Sequence, residues 1–229
     1  MPPTLDLTPI IESNLRELIA AMLDYNTRVN LTSIREPDAA WNKHILDSLE
    51  GLNTRIFDGE RTVVDVGAGA GFPGLPLAVA RPRELRLTFI ESVNKKCEFI
   101  RQMNEKFDLR ARVLCERAEI LGQNYKYRAK FDVATARAVG SLTEVAELTL
   151  PFVAPHGYAV LWRGKDAEAE ARQFKWPLAR LGGVVQEVRA YELPGGEMTY
   201  HLTIIQKKSP TPKTFPRAVG VPKKEPLQS

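Results

Sequence analysis

Thirteen residues, Thr62-Val63-Val64-Asp65-Val66-Gly67-Ala68-Gly69-Ala70-Gly71-Phe72-Pro73-Gly74, constrain the fold of this chain more than any other stretch. Apolar and β-branched residues lead into an acid, glycine recurs at every second position, and a proline-glycine step closes the run. That order predicts a buried strand, a tight turn and the first turn of a helix. Glycine lacks a Cβ, so the turn bends sharply and its backbone approaches a ligand closely. In an open α/β sheet such a turn falls at the carboxyl edge of the first strand, where ligands bind.

Two cofactor readings fit this turn. Gly69-x-Gly71-x-x-Gly74 matches the dinucleotide fingerprint, with a pyrophosphate on the helix N-terminus, as in an NAD-dependent oxidoreductase. Asp65-x-Gly67-x-Gly69-x-Gly71 matches the acidic turn of proteins that bind S-adenosyl-L-methionine. A diphosphate calls for bare backbone N–H groups, whereas a sulfonium cation is welcome beside a carboxylate. Asp65 favours the second reading.

The remainder predicts an α/β fold in three segments. Residues 1–59 read as an N-terminal helical cap. Thr8-Pro9 is a helix start, followed by a stripe of Ile11, Leu15, Leu18 and Met22; a second helix from Glu36-Pro37 carries Trp41, Ile45, Leu49 and Leu52. His44, Asp47 and Ser48 share one face of that helix. Residues 60–207 alternate strands and helices, which predicts a Rossmann-like, mainly parallel sheet. Strands are expected at Leu85–Ile90, Ala111–Cys115, Phe131–Thr135 and Tyr158–Trp162. Val184–Tyr191 and Met198–Ile205, joined by Pro194-Gly195-Gly196, then make a closing antiparallel hairpin. A parallel sheet with that ending is the class I methyltransferase arrangement. Residues 208–229 are basic and rich in proline, so an extended or disordered tail is expected.

Composition removes several classes. No apolar run approaches the ~20 residues of a membrane-spanning helix, and Met1–Asp6 lacks the basic-then-apolar pattern of a secretory signal. Cys97 and Cys115 read as free thiols of a reducing cytoplasm. Neither has a partner at zinc-ligand spacing, and the three histidines are scattered, so no metal site is expected. The net charge of +4 is uneven: the segment from Lys207 onward carries +5, which leaves −1 for residues 1–206. A basic tail on a nearly neutral body predicts a polyanionic partner. The alternative is that Phe215-Pro216-Arg217 folds back onto the cleft.

Acids stand at or just beyond the ends of the first three strands: Asp65, Glu91 and Glu119. For S-adenosyl-L-methionine, Asp65 faces the cationic methionine end and Glu91 takes the ribose hydroxyls. Ala118-Glu119 offers an N–H and a carboxylate to the adenine edge. Glu91 lies 24 residues beyond Gly67, near the usual spacing of a ribose-binding carboxylate. The fourth strand ends Thr135-Ala136-Arg137-Ala138, not in the Asp/Asn-Pro-Pro-aromatic motif of amino-group methylation. Neither cysteine stands where a pyrimidine-carbon nucleophile is needed. An arginine without a general base suits an acceptor that already carries a lone pair, such as guanine N7. Arg137 is therefore a candidate for positioning substrate or cofactor, and no residue is assigned as a base.

Asn30-Leu31-Thr32, His44-x-x-Asp47-Ser48-Leu49, the turn from Asp65 to Gly74, Arg117-Ala118-Glu119 and Arg137-Ala138 together resemble the bacterial ribosomal RNA small subunit methyltransferase G family, also called glucose-inhibited division protein B. Phe72-Pro73-Gly74 is the most specific part of the resemblance. It implies N7 methylation of one guanine in a 16S rRNA loop near the decoding site of the small ribosomal subunit. It further implies that Gly67, Phe72, Glu91, Ser92, Ala118, Glu119 and Arg137 contact the cofactor. Two other readings stay open: a non-catalytic RNA-binding module on the same fold, and the NAD-dependent oxidoreductase.

Overall fold

The structure is a computed structural model that describes residues 7–137, 140–195 and 198–228. Met1–Asp6, Ala138 and Gly196, each used above, lie outside the described residues.

Thr8 caps helix α1 (Pro9–Asn26), its Oγ1 accepting from the Ile11 N–H at 3.4 Å. Leu15, Leu18 and Met22 are fully buried along one side of it. The second helical run opens as α2 (Pro37–Ala40), widens to a π-turn (Trp41–Leu46), and tightens through α3 (Asp47–Leu49) into a 3₁₀ turn (Glu50–Thr54). A π-turn inside a helix re-aims the side chains within and after it; here His44 lies within it and Asp47 and Ser48 follow.

β1 (Arg61–Val66) is buried on both faces, as a strand covered by helices on both sides must be. The turn and α4 (Gly74–Ala80) lead to β2 (Leu85–Glu91), α5 (Asn94–Lys106), β3 (Arg112–Cys115), α6 (Ala118–Gln123) and β4 (Phe131–Arg137). Then come α7 (Leu142–Thr149), β5 (Val153–Arg163), α8 (Ala167–Gln173), α9 (Lys175–Arg180), β6 (Gly183–Glu192) and β7 (Thr199–Lys207). The sheet order is β3-β2-β1-β4-β5-β7-β6. The first five strands pair in parallel, and β7 enters antiparallel between β5 and β6. The closing hairpin is therefore present, with its second strand inserted.

Alternation along β1 divides the core. Val63 joins Leu87, Phe89 and the cap residues Leu15, Ile45 and Leu49 on one face. Val64 and Val66 join Ala134, Val145 and Leu148 on the other. β5 begins five residues earlier than Tyr158, because Pro155 and His156 (φ +67°) sit in a bulge that the alternation pattern passes over.

The tail differs most from expectation. Phe215 and Leu227 are buried in the second core, and Val221–Lys224 form a short helix, α10. Proline removes backbone donors but leaves carbonyls, and side chains satisfy those here. The Arg128 guanidinium donates to the carbonyls of Thr211, Pro212 and Phe215 at 2.6–2.9 Å. Gln123 donates to those of Lys213 and Pro216 at 3.1 and 2.7 Å. Arg217 forms a bidentate pair with Glu147 of α7, whose side chain is wholly buried. Lys207 is not a free tail cation. Its ammonium is buried against the Leu150 and Leu181 carbonyls and the Thr211 hydroxyl, and burial, then the Arg128 charge, pushes its pKa down to about 7.

Candidate active site

Gly67, Gly69 and Gly71 all adopt left-handed φ values, +67°, +59° and +87°, which fold the chain back on itself after β1. Six N–H groups of the turn are spent internally. Gly67 and Ala68 donate to the Ile90 carbonyl, Gly71 and Phe72 to that of Ala68, Gly69 to Glu91 Oε2 at 2.8 Å, and Gly74 to Asp65 Oδ2 at 3.0 Å. A diphosphate would find these donors already committed. This argues against the dinucleotide reading more directly than any sequence feature.

Asp65, expected to face the methionine end of the cofactor, is enclosed beneath the turn and is not among the residues lining the cleft over it. Its side chain is fully buried, with Oδ1 accepting from the Thr135 hydroxyl at 2.8 Å and Oδ2 from Gly74. It pins the turn to the sheet from below. Burial raises its pKa to about 6 against the two hydrogen bonds and the Arg137 charge. Gly71 and Phe72 are buried as well. A Cβ on Gly71 would lie 2.3 Å from Leu75, so this glycine serves packing rather than ligand approach.

Above the turn lies an open cleft of about 410 Å³ at the carboxyl ends of β1, β2 and β3. Glu91, Ala118 and Glu119, expected from the strand ends, line it together with Gly67 and Ser92, which the family resemblance implies. Glu91 Oε1 also accepts from the N–H groups of Ser92 and Val93 at 2.8 and 2.9 Å. Glu119 is nearly buried; burial alone would raise its carboxyl, yet the Arg117 guanidinium and the Gly220 N–H lower it below the usual range. Sequence reasoning gave no role to Arg117, Glu144 and Lys223, which also line the cleft. Lys223 arrives on the tail and Glu144 in the first turn of α7; neither stands at a strand end, so no local pattern marks them. With Glu116 and Lys96 included, four carboxylates face three cations. That balance suits a cationic ligand.

Arg137 and Phe72 lie in a second cluster, toward the cap. Arg137 donates to the Lys43 carbonyl at 2.8 Å, Asp47 Oδ2 at 2.7 Å and His44 Nδ1 at 3.0 Å, with its guanidinium 5.4 Å from the Phe72 ring centre. The His44 imidazole stacks on the same Phe72 ring, with the ring centres 4.7 Å apart. Arginine cannot accept a hydrogen bond, so Nδ1 is the acceptor and the proton sits on Nε2, facing Thr32 Oγ1 at 3.1 Å. Burial, then Arg137, lowers the His44 pKa to about 4. Neither nitrogen is left to take a substrate proton. Asp47 in turn accepts from Tyr191 Oη at 2.5 Å, and its carbonyl from Trp162 Nε1 at 2.7 Å.

A seven-stranded sheet of this order with an acid-lined cleft over a glycine turn defines a class I S-adenosyl-L-methionine-dependent methyltransferase. Solved structures share the fold. A putative RNA methyltransferase from Pyrococcus horikoshii matches 86% of this chain and 100% of its own at TM-score 0.51 and 15% identity. M. jannaschii TYW2 in complex with AdoMet matches 70% and 74% at TM-score 0.51 and 15% identity. The family model GidB, rRNA small subunit methyltransferase G, matches residues 11–198, and the chain belongs to that family. Ribosomal RNA small subunit methyltransferase G of Roseiflexus sp. (strain RS-1) is 42% identical over 91% of this chain and 88% of its own. The Alkaliphilus metalliredigens (strain QYMF) protein of the same name is 38% identical over 90% and 87%.

Proposed function

We infer that this chain methylates N7 of a guanine in a 16S rRNA loop near the decoding site, in the cytoplasm, with S-adenosyl-L-methionine as donor. One observation carries the choice of cofactor: six of the turn's N–H groups are spent on protein acceptors while carboxylates outnumber cations around the cleft. When bound, the cofactor supplies a methyl group made electrophilic by its sulfonium. Gly67, Ser92 and Ala118 form the backbone walls, Glu91 is the ribose acceptor, and Glu119 faces the adenine edge, steadied by Arg117 and Gly220. Asp65 acts beneath this site by holding the turn.

The Arg137 cluster supports the choice of acceptor. Asp47 and His44 fix the guanidinium beside the Phe72 ring, where its remaining edge can orient a base through O6 or by stacking. N7 carries its lone pair at neutral pH, so no proton has to leave before methylation. Positioning then does the work, and the occupied His44 nitrogens are consistent with that. Mapping the methylated nucleotide in small-subunit rRNA, with and without the gene, tests the reading. Saturating S-adenosyl-L-methionine at ~100 Kd should also stabilise the fold by about 2.7 kcal/mol, and NAD should not. A missing methyl group at an rRNA adenine or cytosine, not a guanine N7, would sink it.

A further inference from the structure

The cleft over the glycine turn is not the sole large concavity. A groove of about 900 Å³ lies on the opposite edge of the sheet, where β1, β2, β3 and β4 begin. Arg83, Arg86, Arg110, Arg112, Lys126 and Lys130 line it, against one acid, Asp108. This collects a local charge of +5 on a body whose net charge is −1. All six cations are exposed. Arg86 pairs with Glu60, and Arg110 only loosely with Asp108, at 3.5 Å. The side chains of Arg83, Arg112, Lys126 and Lys130 have no hydrogen-bond or ion-pair partner among the described residues. Three loop residues at this edge, Asp108, Arg110 and Ala129, hold positive φ without being glycine (+45°, +53° and +52°). Each such residue costs stability and persists only where surrounding structure holds it. Next to Lys126, Tyr125 is 77% exposed, a face on which a base can stack.

Unpaired cations around a groove with an adjacent free aromatic ring fit a nucleic-acid backbone. We propose that this amino-edge groove is a second, non-catalytic docking site that grips rRNA phosphates distant from the methylated loop. The inference rests on the rRNA methyltransferase reading. β2 spans the sheet between the two edges in seven residues, so the sites are about 20 Å apart. A small loop seated in the cleft does not reach the groove; a folded rRNA domain does.

The test uses the full chain with two substrates, whole 16S rRNA and a short hairpin carrying only the methylated loop. The variant R83Q/R112Q/K126Q/K130Q removes four phosphate contacts. Each contributes about 0.7–0.9 to the log–log salt slope, so the slope for whole rRNA should fall by about 3. Its KM should rise at least tenfold with kcat unchanged, while hairpin methylation and S-adenosyl-L-methionine binding stay at wild-type values. The charge-preserving R83K/R112K/K126R/K130R variant should keep the wild-type slope. A measurement on the unaltered protein covers misfolding of the variant: loop-free RNA duplex should compete with whole rRNA but leave hairpin methylation untouched. An unchanged slope, or duplex inhibition of both substrates alike, overturns the docking site and leaves the enzymatic reading standing. A wild-type chain that methylates no rRNA overturns both.

Discussion

Arg217→Ala should cost this protein about 3 kcal/mol, through a carboxylate that the sequence gives no reason to notice. Glu147 lies on α7 with its side chain at 0% exposure, while that of Arg217 is at 24%. Both Glu147 oxygens are occupied: Oε1 accepts from the Arg217 N–H and Nε at 2.8 and 2.9 Å, and Oε2 from the guanidinium at 3.1 and 2.7 Å. Removing one partner of a buried pair leaves an uncompensated charge and typically costs 3–5 kcal/mol. The lower figure applies, because the backbone N–H survives the substitution and Arg217 is partly solvated. For a chain of this length, 1 kcal/mol moves Tm by about 2–4 °C, so the expected fall is about 6–12 °C. The tail also presents the Gly220 N–H to Glu119 at 3.0 Å and Lys223 to the cleft, so cofactor affinity should drop several-fold. Thermal unfolding with and without S-adenosyl-L-methionine reads both quantities. Adding Glu147→Gln to Arg217→Ala should recover most of the loss, since the buried charge is then gone. A Tm for Arg217→Ala within about 2 °C of wild type, with unchanged cofactor affinity, would refute the assignment of the tail as part of the folded body.

The stability–pH profile should hide two opposing contributions. His44 stays neutral in the fold to about pH 4 but protonates at 6.5 when unfolded, so acidification from 6.5 to 4 costs about 3 kcal/mol. Asp65 binds its proton in the fold near pH 6 and at 3.8 when unfolded, so acidification from 6 to 3.8 returns about 3 kcal/mol. Denaturant titrations of His44→Gln should therefore show a smaller acid loss than wild type, and identical pH slopes would contradict this. With saturating substrate, kcat should be nearly flat from neutral to mildly alkaline pH; a steep rise abolished by His44→Gln would mean that a proton must be removed. Gly71→Ala should destabilise by 1–3 kcal/mol more than Gly69→Ala, because a Cβ at 71 meets Leu75 at 2.3 Å whereas one at 69 meets only the Gly67 carbonyl, at 4.0 Å. Equal midpoints for the two variants would count against that packing account.

Local periodicity and turn chemistry are enough to read the sheet, the glycine turn, the closing hairpin and the acids at the strand ends, because each is written within a few consecutive residues. A run of β-branched residues ending in glycines has few other ways to bury itself. Glu91, Ala118 and Glu119 are legible for the same reason: a parallel sheet sends its strand ends to one edge. Which way Asp65 points was not legible, since Thr135 and the Gly74 N–H, its two partners, are supplied by a neighbouring strand and by the chain beyond the turn. Composition does not show how the tail is held: prolines exclude a ladder, but Arg128 and Glu147, 70 or more residues away, hold it through carbonyls and one buried ion pair. The Asp47–Arg137–His44 cluster and the basic groove at the amino edge arise in the same way, from helices and loops that become neighbours only once the sheet has formed. Sequence spacing sets which face of an element is buried; the side chain that meets it across the fold is set by tertiary packing.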